Sequence, residues 1–207
     1  MKQDATGIVL AGGSSLRMGK DKSAIELGGR TLLQRTAESI SGVCAELVIA
    51  AADRPTQYLH DLSPIWVPDP PGGAGPLAGL VAGLSAASNP VAIVVACDMP
   101  FLNHRLLRHL LNSLADCDAA VPMAGGRAQS LHAAYSTDCL PTARALLRLG
   151  ARSMHDLLSR LRVKYIAEAR CLELDPDGLS SFNMNTADDF RFADSHWARW
   201  QDTVAAA

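Results

Sequence analysis

The chain has 207 residues, of which 48% are hydrophobic and 19% are charged, a composition that excludes disordered and fibrous proteins. A net charge of −2 gives no general attraction for nucleic acid or for an anionic membrane, so we expect neither as a partner. Apolar runs such as residues 91–97 are far shorter than the roughly 20 residues that cross a bilayer. With no secretory signal pattern either, we expect a cytoplasmic protein.

Short apolar runs rich in β-branched residues alternate with segments of helical period along the chain. Strands are predicted over residues 7–10, 46–51, 65–67, 91–96, 119–122, 131–135 and 164–166. Helices are predicted over residues 31–40, with Thr31 as N-cap, and over 75–87, 105–114, 140–149, 153–161 and 186–200. This order predicts one domain over residues 1–207, an α/β fold with a three-layer α/β/α sandwich and a mostly parallel central sheet.

A glycine-rich turn follows the first predicted strand, and ligands of such sheets bind beyond the carboxyl ends of the strands. Gly12 and Gly13 allow a tight turn that brings backbone N–H groups close to a phosphate or a nucleobase, and Arg17 and Lys22 add positive charge. The spacing matches neither the Walker A pattern nor G-x-G-x-x-G. The alternative is an ordinary glycine-rich surface loop.

Two carboxylates follow other predicted strands. Asp98 ends the most apolar strand, where it would hold Mg²⁺, a cation that prefers one or two carboxylates plus substrate oxygens; the alternative is a cap of the next turn. Asp69 begins a segment with four glycines that leads into Pro76, a residue suited to a first helical turn. Its carboxylate would accept hydrogen bonds from guanine or cap the loop, and spacing alone leaves both open.

The charged residues are distributed unevenly in the C-terminal third of the chain. Residues 142–170 carry a net charge of +5 and residues 173–202 a net charge of −5. Both segments are explained by solvated helix faces, and the basic one alternatively by a pocket wall for an anionic second substrate. The five cysteines form no C-x-x-C pair and no zinc spacing, so we expect reduced and mostly buried thiols.

Together these residues resemble one family, the molybdenum cofactor guanylyltransferases, within the nucleotidyltransferases of glycosyltransferase-A-like fold. The pattern L-A-G-G-x-S-x-R-M-G-x-x-K is typical of the superfamily, and G-P-L-A-G and N-x-N-T narrow the resemblance, which covers residues 7 to about 189. The matching residues are Leu10-Ala11-Gly12-Gly13, Arg17-Met18-Gly19, Lys22, Asp69, Gly75-Pro76-Leu77-Ala78-Gly79, Cys97-Asp98-Met99-Pro100, Asn183-Met184-Asn185-Thr186 and Asp188.

The resemblance implies a Rossmann-like nucleotide-diphospho-sugar transferase fold and a specific enzyme activity. The enzyme would transfer GMP from GTP to the phosphate of molybdopterin and release pyrophosphate and molybdopterin guanine dinucleotide, with Mg²⁺ as cofactor. Residues 1–100 would form the nucleotide-binding half and residues 101–207 the acceptor-binding half. A labile product also implies transient contact with cofactor-delivery proteins or with the molybdoenzymes that receive it.

Site roles follow from the resemblance residue by residue. Leu10, Ala11, Gly12 and Gly13 would hold guanine and ribose with their backbone. Arg17 and Lys22 would bind the triphosphate and act in catalysis together with Asp98, which also binds the nucleotide and the metal. Asp69 would bind the nucleotide. Asn183 and Asn185 would lie on the acceptor side.

Some features stay open. Asp53 stands where many family members have Asn, so no role is carried over to it, and His132 is interpreted as a structural histidine rather than a ligand. Other enzyme readings are a CTP-dependent molybdopterin cytidylyltransferase and a sugar-1-phosphate nucleotidyltransferase. Related cytidylyltransferases tend to have T-A-A-G in place of Leu10-Ala11-Gly12-Gly13, which favours guanine. A non-catalytic nucleotide-binding carrier is disfavoured because Arg17, Lys22 and Asp98 are all present.

Overall fold

A computed structural model describes residues 2–11, 24–51, 59, 62–68 and 75–205. The strands of these ranges are β1 (Gln3–Leu10), β2 (Glu26–Leu27), β3 (Arg30–Thr31), β4 (Cys44–Ala50), β5 (Ile65–Val67), β6 (Val91–Ala96), β7 (Ala119–Ala124), β8 (Arg127–Ala128), β9 (His132–Ser136) and β10 (Val163–Ile166). The helices are α1 (Leu32–Ser41), α2 (Pro76–Ala86), α3 (His104–Asn112), α4 (Leu140–Arg148), α5 (Met154–Leu158), α6 (Glu168–Leu174) and α7 (Ala187–Ala205).

The main sheet has the strand order β10-β7-β9-β6-β1-β4-β5, and β8 pairs with β7. β1 runs parallel to β4 and β6, β5 runs parallel to β4, and β10 runs parallel to β7. β9 is antiparallel to both of its neighbours, β6 and β7. The sheet is therefore mixed but mostly parallel, and helices cover it, which confirms the predicted α/β sandwich.

β6 shows why the sheet is covered on both faces. Ile93 and Val95 join the core that contains α1 and α3, whereas Ala92 and Val94 join the core that contains α2, α4 and α5. All four side chains are fully buried. The unbroken apolar run thus reflects a central strand between two helical layers, as a strand buried on both faces requires.

The first helix begins as its sequence predicts. Thr31 Oγ1 accepts a hydrogen bond from Gln34 N–H at 3.2 Å, and Gln34 Oε1 accepts one from Thr31 N–H at 2.8 Å. These reciprocal bonds satisfy two of the N–H groups that a helix leaves without intrahelical partners. Thr31 is therefore confirmed as the N-cap of α1.

A third, smaller core lies under the C-terminal helix. Its buried residues come from the β2–β3 hairpin, the start of α1, the segment after β6, the segment before α7 and α7 itself: Leu27, Leu32, Phe101, Met184, Ala193 and Trp197. Phe101 lies 5.9 Å from the Trp197 ring and 5.8 Å from the Phe182 ring, measured between ring centroids. The aromatic contacts tie α7 to the chain that follows β6.

Within this core, Arg35 links the hairpin to α7. Its Nε donates to the Leu27 carbonyl at 2.5 Å, its Nη2 donates to the Gly28 carbonyl, and its guanidinium lies 3.7 Å from the centroid of the Trp197 ring. Burial lowers the pKa of Arg35 to about 10, which leaves the guanidinium charged at neutral pH. The cation is thus balanced by two carbonyls and an aromatic face.

The five cysteines, all within the described ranges, form no disulfide with one another; four are buried and Cys117 is half-buried, as expected. Burial raises the pKa of Cys44 and of Cys139 to about 12, so both stay protonated. Among the helices of the described ranges, none is both long enough and apolar enough to cross a membrane.

We predict that Trp197→Ala lowers the free energy of unfolding by about 3 to 5 kcal/mol, the usual range for removing a large buried aromatic side chain. Trp197 is 7% exposed and contacts Arg35, Phe101 and Trp200. Urea unfolding followed by circular dichroism gives the measurement. Leu149→Ala is the control, because Leu149 is 84% exposed and its loss should change little. Equal effects of the two substitutions would contradict the role of Trp197 as the centre of the third core.

Candidate active site

The carboxyl ends of the central strands meet at one edge of the sheet. The Leu10 carbonyl accepts a hydrogen bond from Cys97 N–H at 3.0 Å, and Ala11 N–H donates to the Ala50 carbonyl at 2.8 Å. The end of β1 therefore lies between the ends of β6 and β4. The structure places Leu10 and Ala11 next to the residue that precedes Asp98, at the edge where ligands of such sheets bind.

Asp98 follows β6 at this edge. The residue is half-buried, and its carboxylate Oδ1 atom is shielded from solvent. Its backbone carbonyl accepts a hydrogen bond from Met184 N–H at 2.9 Å. Asp98 is thus the point at which the nucleotide-side strand and the predicted acceptor segment come together.

The predicted acceptor residues lie in the segment that leads into α7. Asn183 Nδ2 donates to the Ser181 carbonyl at 3.1 Å, and Asn185 Nδ2 donates to the Asn183 carbonyl at 3.4 Å. Asp189 Oδ2 accepts from the backbone N–H groups of Asn185 and Thr186 at 2.9 and 2.8 Å. Successive side chains therefore fix the backbone of the segment from Ser181 to the first turn of α7.

His132 lies beneath that segment. It is the first residue of β9 and is fully buried. Its Nε2 is 3.0 Å from Ser180 Oγ, and its Nδ1 is 3.2 Å from Ser181 Oγ. Both ring nitrogens thus have partners in the protein, which confirms the interpretation of a structural histidine. Burial lowers the pKa of His132 to about 4, so the ring is neutral at physiological pH.

The histidine belongs to a buried polar network that extends to α3. Ser180 Oγ accepts from Asn103 N–H at 2.9 Å, and the Asp175 carboxylate accepts from Ser180 N–H at 2.8 Å and from Asn103 Nδ2 at 3.3 Å. Burial raises the pKa of Asp175. Sequence reasoning missed Asn103, Asp175 and Ser180 because they are far apart in the chain and match no motif.

The glycine that precedes α2 contacts the chain before α5. Gly75 has φ of 81° and ψ of 177°, a conformation that only glycine adopts without strain. A Cβ at this position would lie 2.9 Å from the Arg152 carbonyl, which accepts a hydrogen bond from Leu77 N–H at 3.4 Å. The G-P-L-A-G motif is thus held against the backbone of Arg152.

The remaining site predictions fall outside the described residues: Gly12, Gly13, Arg17, Lys22, Asp53 and Asp69. Their roles stay predictions. In the basic segment, Arg162 forms an ion pair with the half-buried Asp118, and Arg170 forms one with the exposed Glu173. Both arginine side chains are largely solvent-exposed, which supports solvated faces at those two positions. Arg152 differs because its backbone carbonyl contacts the start of α2 at Gly75 and Leu77. Within the described ranges, no group of three or more His, Cys, Asp or Glu side chains is placed to hold a metal ion.

The mostly parallel sheet, with a carboxylate at the end of β6 beside the end of β1, is the architecture of the Rossmann-like nucleotidyltransferases, which are enzymes. A family model described as "MobA-like NTP transferase domain" matches residues 7–165. The chain belongs to this family of MobA-like nucleotidyltransferases.

Similar proteins agree with this assignment. The chain is 36% identical over 185 residues to a protein of Pelotomaculum thermopropionicum named "Probable molybdenum cofactor guanylyltransferase", with 89% of each chain covered. It is 34% identical over 192 residues to the "Molybdenum cofactor guanylyltransferase" of Desulfosudis oleivorans, with 92% of this chain and 94% of that protein covered.

Solved structures agree on the fold. The molybdopterin-guanine dinucleotide biosynthesis protein A of Archaeoglobus fulgidus superposes with a TM-score of 0.80 at 28% identity, covering 94% of this chain and 99% of that chain. A 2-C-methyl-D-erythritol 4-phosphate cytidylyltransferase of Thermus thermophilus superposes with a TM-score of 0.69 at 23% identity, covering 95% and 100%. The second similarity concerns the fold alone.

We predict that Gly75→Ala lowers the free energy of unfolding by at least about 2 kcal/mol, because a strained backbone costs about 1 to 3 kcal/mol and the new Cβ would also press on the Arg152 carbonyl. Gly126→Ala is the matched control: Gly126 also has a positive φ, but a Cβ there meets nothing within 4 Å. Chemical unfolding of both variants separates the cost of the contact from that of the backbone. A cost for Gly75→Ala no larger than that for Gly126→Ala would show that the contact with Arg152 is unimportant.

Proposed function

We propose that the protein transfers GMP from GTP to the phosphate of molybdopterin, forming molybdopterin guanine dinucleotide and pyrophosphate. The names of its relatives support this activity. The observation that carries the proposal is the position of Asp98. Cys97, the residue before it, donates its N–H to the Leu10 carbonyl at the end of β1. The Asp98 carbonyl accepts a hydrogen bond from Met184 N–H in the acceptor segment.

The proposed division of the site follows the chain. Residues 1–100 bind the nucleotide and residues 101–207 bind the acceptor, and the two halves meet at Asp98. On the nucleotide side, the backbone from Leu10 to Gly13 holds guanine and ribose, and Asp69 binds the nucleotide. Arg17 and Lys22 bind the triphosphate. On the acceptor side, Asn183 and Asn185 present amide groups at the edge of the sheet, where Asn183 is half-buried and Asn185 is exposed.

The proposed reaction is a single displacement at phosphorus. A phosphate oxygen of the acceptor attacks the α-phosphorus of GTP, the bond from that phosphorus to the bridging oxygen breaks, and pyrophosphate leaves with the bonding electrons. The protein has little covalent chemistry to perform, so its contribution is to align the two substrates and to neutralise charge. Cys97 is hydrogen-bonded to Leu10 on the nucleotide side, and Asp98 is hydrogen-bonded to Met184 on the acceptor side. Such an arrangement suits the alignment of two substrates.

The residues present fit Mg²⁺ as the cofactor. Asp98 supplies one carboxylate at the substrate edge, with Oδ1 shielded from bulk water, and Mg²⁺ prefers one or two carboxylates plus substrate phosphate oxygens to a cage of protein ligands. When bound, the ion would offset the negative charge that builds up on the phosphate oxygens. Asp98 would hold it in position.

We expect GTP with Mg²⁺ to raise the melting temperature of the protein more than CTP, ATP or UTP with Mg²⁺. A ligand present at 100 times its Kd adds about 2.7 kcal/mol to the free energy of unfolding. Differential scanning fluorimetry across the four nucleotides makes the comparison, with inorganic pyrophosphate as the control for binding through phosphates alone. Stabilisation by CTP and not by GTP would refute guanine specificity and favour a cytidylyltransferase.

We expect Asp98→Asn to reduce the rate of pyrophosphate release by at least about 100-fold, the scale of losing one group that stabilises charge in a transition state. The variant should stay folded, because the Asp98 carbonyl that binds Met184 is unchanged. Asp116→Asn is the matched control: Asp116 is exposed and precedes β7, at the opposite end of the strands. Unchanged turnover by folded Asp98→Asn would refute the assigned role.

A further inference from the structure

The segment from Leu179 to Asn185 is held at two separate places. At one end, Ser180 and Ser181 contact the two ring nitrogens of His132. At the other end, Met184 N–H is bonded to the Asp98 carbonyl. Asn183 lies between these two points, so its position depends on both.

The strand register links the two points. His132 is paired with Val95 across the antiparallel β6–β9 contact, and Asp98 lies three residues beyond Val95 along the chain. Neighbouring strands of one sheet keep their relative positions closely, because every residue of the register is bonded or packed. The position of His132 relative to Asp98 is therefore fixed by the sheet, and residues 179–185 contact both residues.

Both ring nitrogens of His132 have a serine hydroxyl within hydrogen-bond distance. Ser180 Oγ, which accepts from Asn103 N–H, lies 3.0 Å from Nε2, and Ser181 Oγ lies 3.2 Å from Nδ1. A neutral ring donates from one nitrogen and accepts at the other, and a serine hydroxyl takes either role, so both contacts form in either tautomer. The charged neighbour of this arrangement is Asp175, whose carboxylate is occupied by Ser180 N–H and Asn103 Nδ2.

Side-chain bonds continue from the serines to the asparagines. Ser181, whose hydroxyl contacts His132, offers its backbone carbonyl to Asn183 Nδ2, and the Asn183 carbonyl accepts from Asn185 Nδ2. A shift of Ser181 would thus move the carbonyl that orients Asn183. Each of these hydrogen bonds joins residues close together in the chain except the first, which joins His132 to Ser181. The series therefore begins at His132.

We propose that His132 is a positioning residue for the acceptor substrate: through Ser180 and Ser181 it sets where Asn183 and Asn185 stand relative to Asp98. The inference rests on the proposed function, because that function assigns the two asparagines to the acceptor. It predicts a specific defect, in which acceptor binding is weakened while GTP binding is preserved, since the residues assigned to GTP precede residue 100.

The test compares four variants. His132→Ala removes both ring contacts, and His132→Asn keeps a side-chain amide that can bond a serine hydroxyl. Ser181→Ala removes one half-buried hydroxyl while keeping the carbonyl that Asn183 uses. Tyr135→Phe is the matched control. Tyr135 lies on β9 and is as fully buried as His132. Its side chain joins the core that contains α2, α4 and α5, and its hydroxyl donates to the Ser130 carbonyl rather than to residues 179–185.

Steady-state kinetics with GTP and molybdopterin give the first readout. We expect His132→Ala and Ser181→Ala to raise the KM for molybdopterin about tenfold, the equivalent of about 1.4 kcal/mol, with the KM for GTP changed less than about twofold. His132→Asn should recover part of the loss, and Tyr135→Phe should leave both constants near their original values. Equal increases in the two KM values, or no increase for molybdopterin, would overturn the inference.

Amide hydrogen exchange gives a second readout that does not depend on activity. Exchange at Ser180 and Met184 should become at least about tenfold faster in His132→Ala and stay unchanged in Tyr135→Phe. Unchanged exchange in His132→Ala would overturn the positioning role even if the enzyme works as proposed. Faster exchange in His132→Ala, together with a wild-type enzyme that does not guanylylate molybdopterin, would instead refute the proposed function, and with it the acceptor part of the inference.

Discussion

The hydrogen bond from Met184 N–H to the Asp98 carbonyl is the contact on which the arrangement of the site depends. It brings together residues 86 positions apart in the chain, at the end of β6, whose four central residues are fully buried. Because β6 is covered on both faces and bonded to β1 and β9, Asp98 emerges from a rigid base. Residues 179–185 are hydrogen-bonded to this rigid strand end and are therefore ordered before a substrate binds. In an isolated loop, the substrate would have to order the same residues, at an entropic cost.

The third core explains how the C-terminal helix takes part. The family model ends at residue 165, yet Met184, Trp197 and Ala193 are buried against Phe101 and the β2–β3 hairpin. The hairpin directly follows the glycine-rich segment in the chain, and Arg35 holds it to Trp197. The same aromatic cluster therefore supports the chain after the nucleotide motif and the acceptor segment. Packing in the third core, which contains none of the proposed substrate-binding residues, thus contributes to the spacing between the two proposed substrates.

Sequence reasoning succeeded where one local rule decides the structure. The apolar run of β6, the Thr31 cap and the edge position of Asp98 each follow from residues that are adjacent in the chain. It missed α6, which has only seven residues and no side-chain N-cap, and the β2–β3 hairpin, whose two-residue strands show no period. The network of Asn103, Asp175 and Ser180 was also missed. Tertiary contacts create it, and no pattern in the sequence marks residues that meet only after folding.

The neutral state of His132 matters for the electrostatics of a site proposed to bind phosphates. An imidazolium ring buried on the strand next to Asp98 would attract the carboxylate at low effective dielectric, where charges interact far more strongly than in water. Full burial keeps the ring uncharged instead. The ring thus supplies direction through its hydrogen bonds without adding a charge on the strand next to Asp98, the residue proposed to hold the cation. If the proposed function holds, the geometry of the acceptor segment is thereby set without a change in the charge balance around the reacting phosphates.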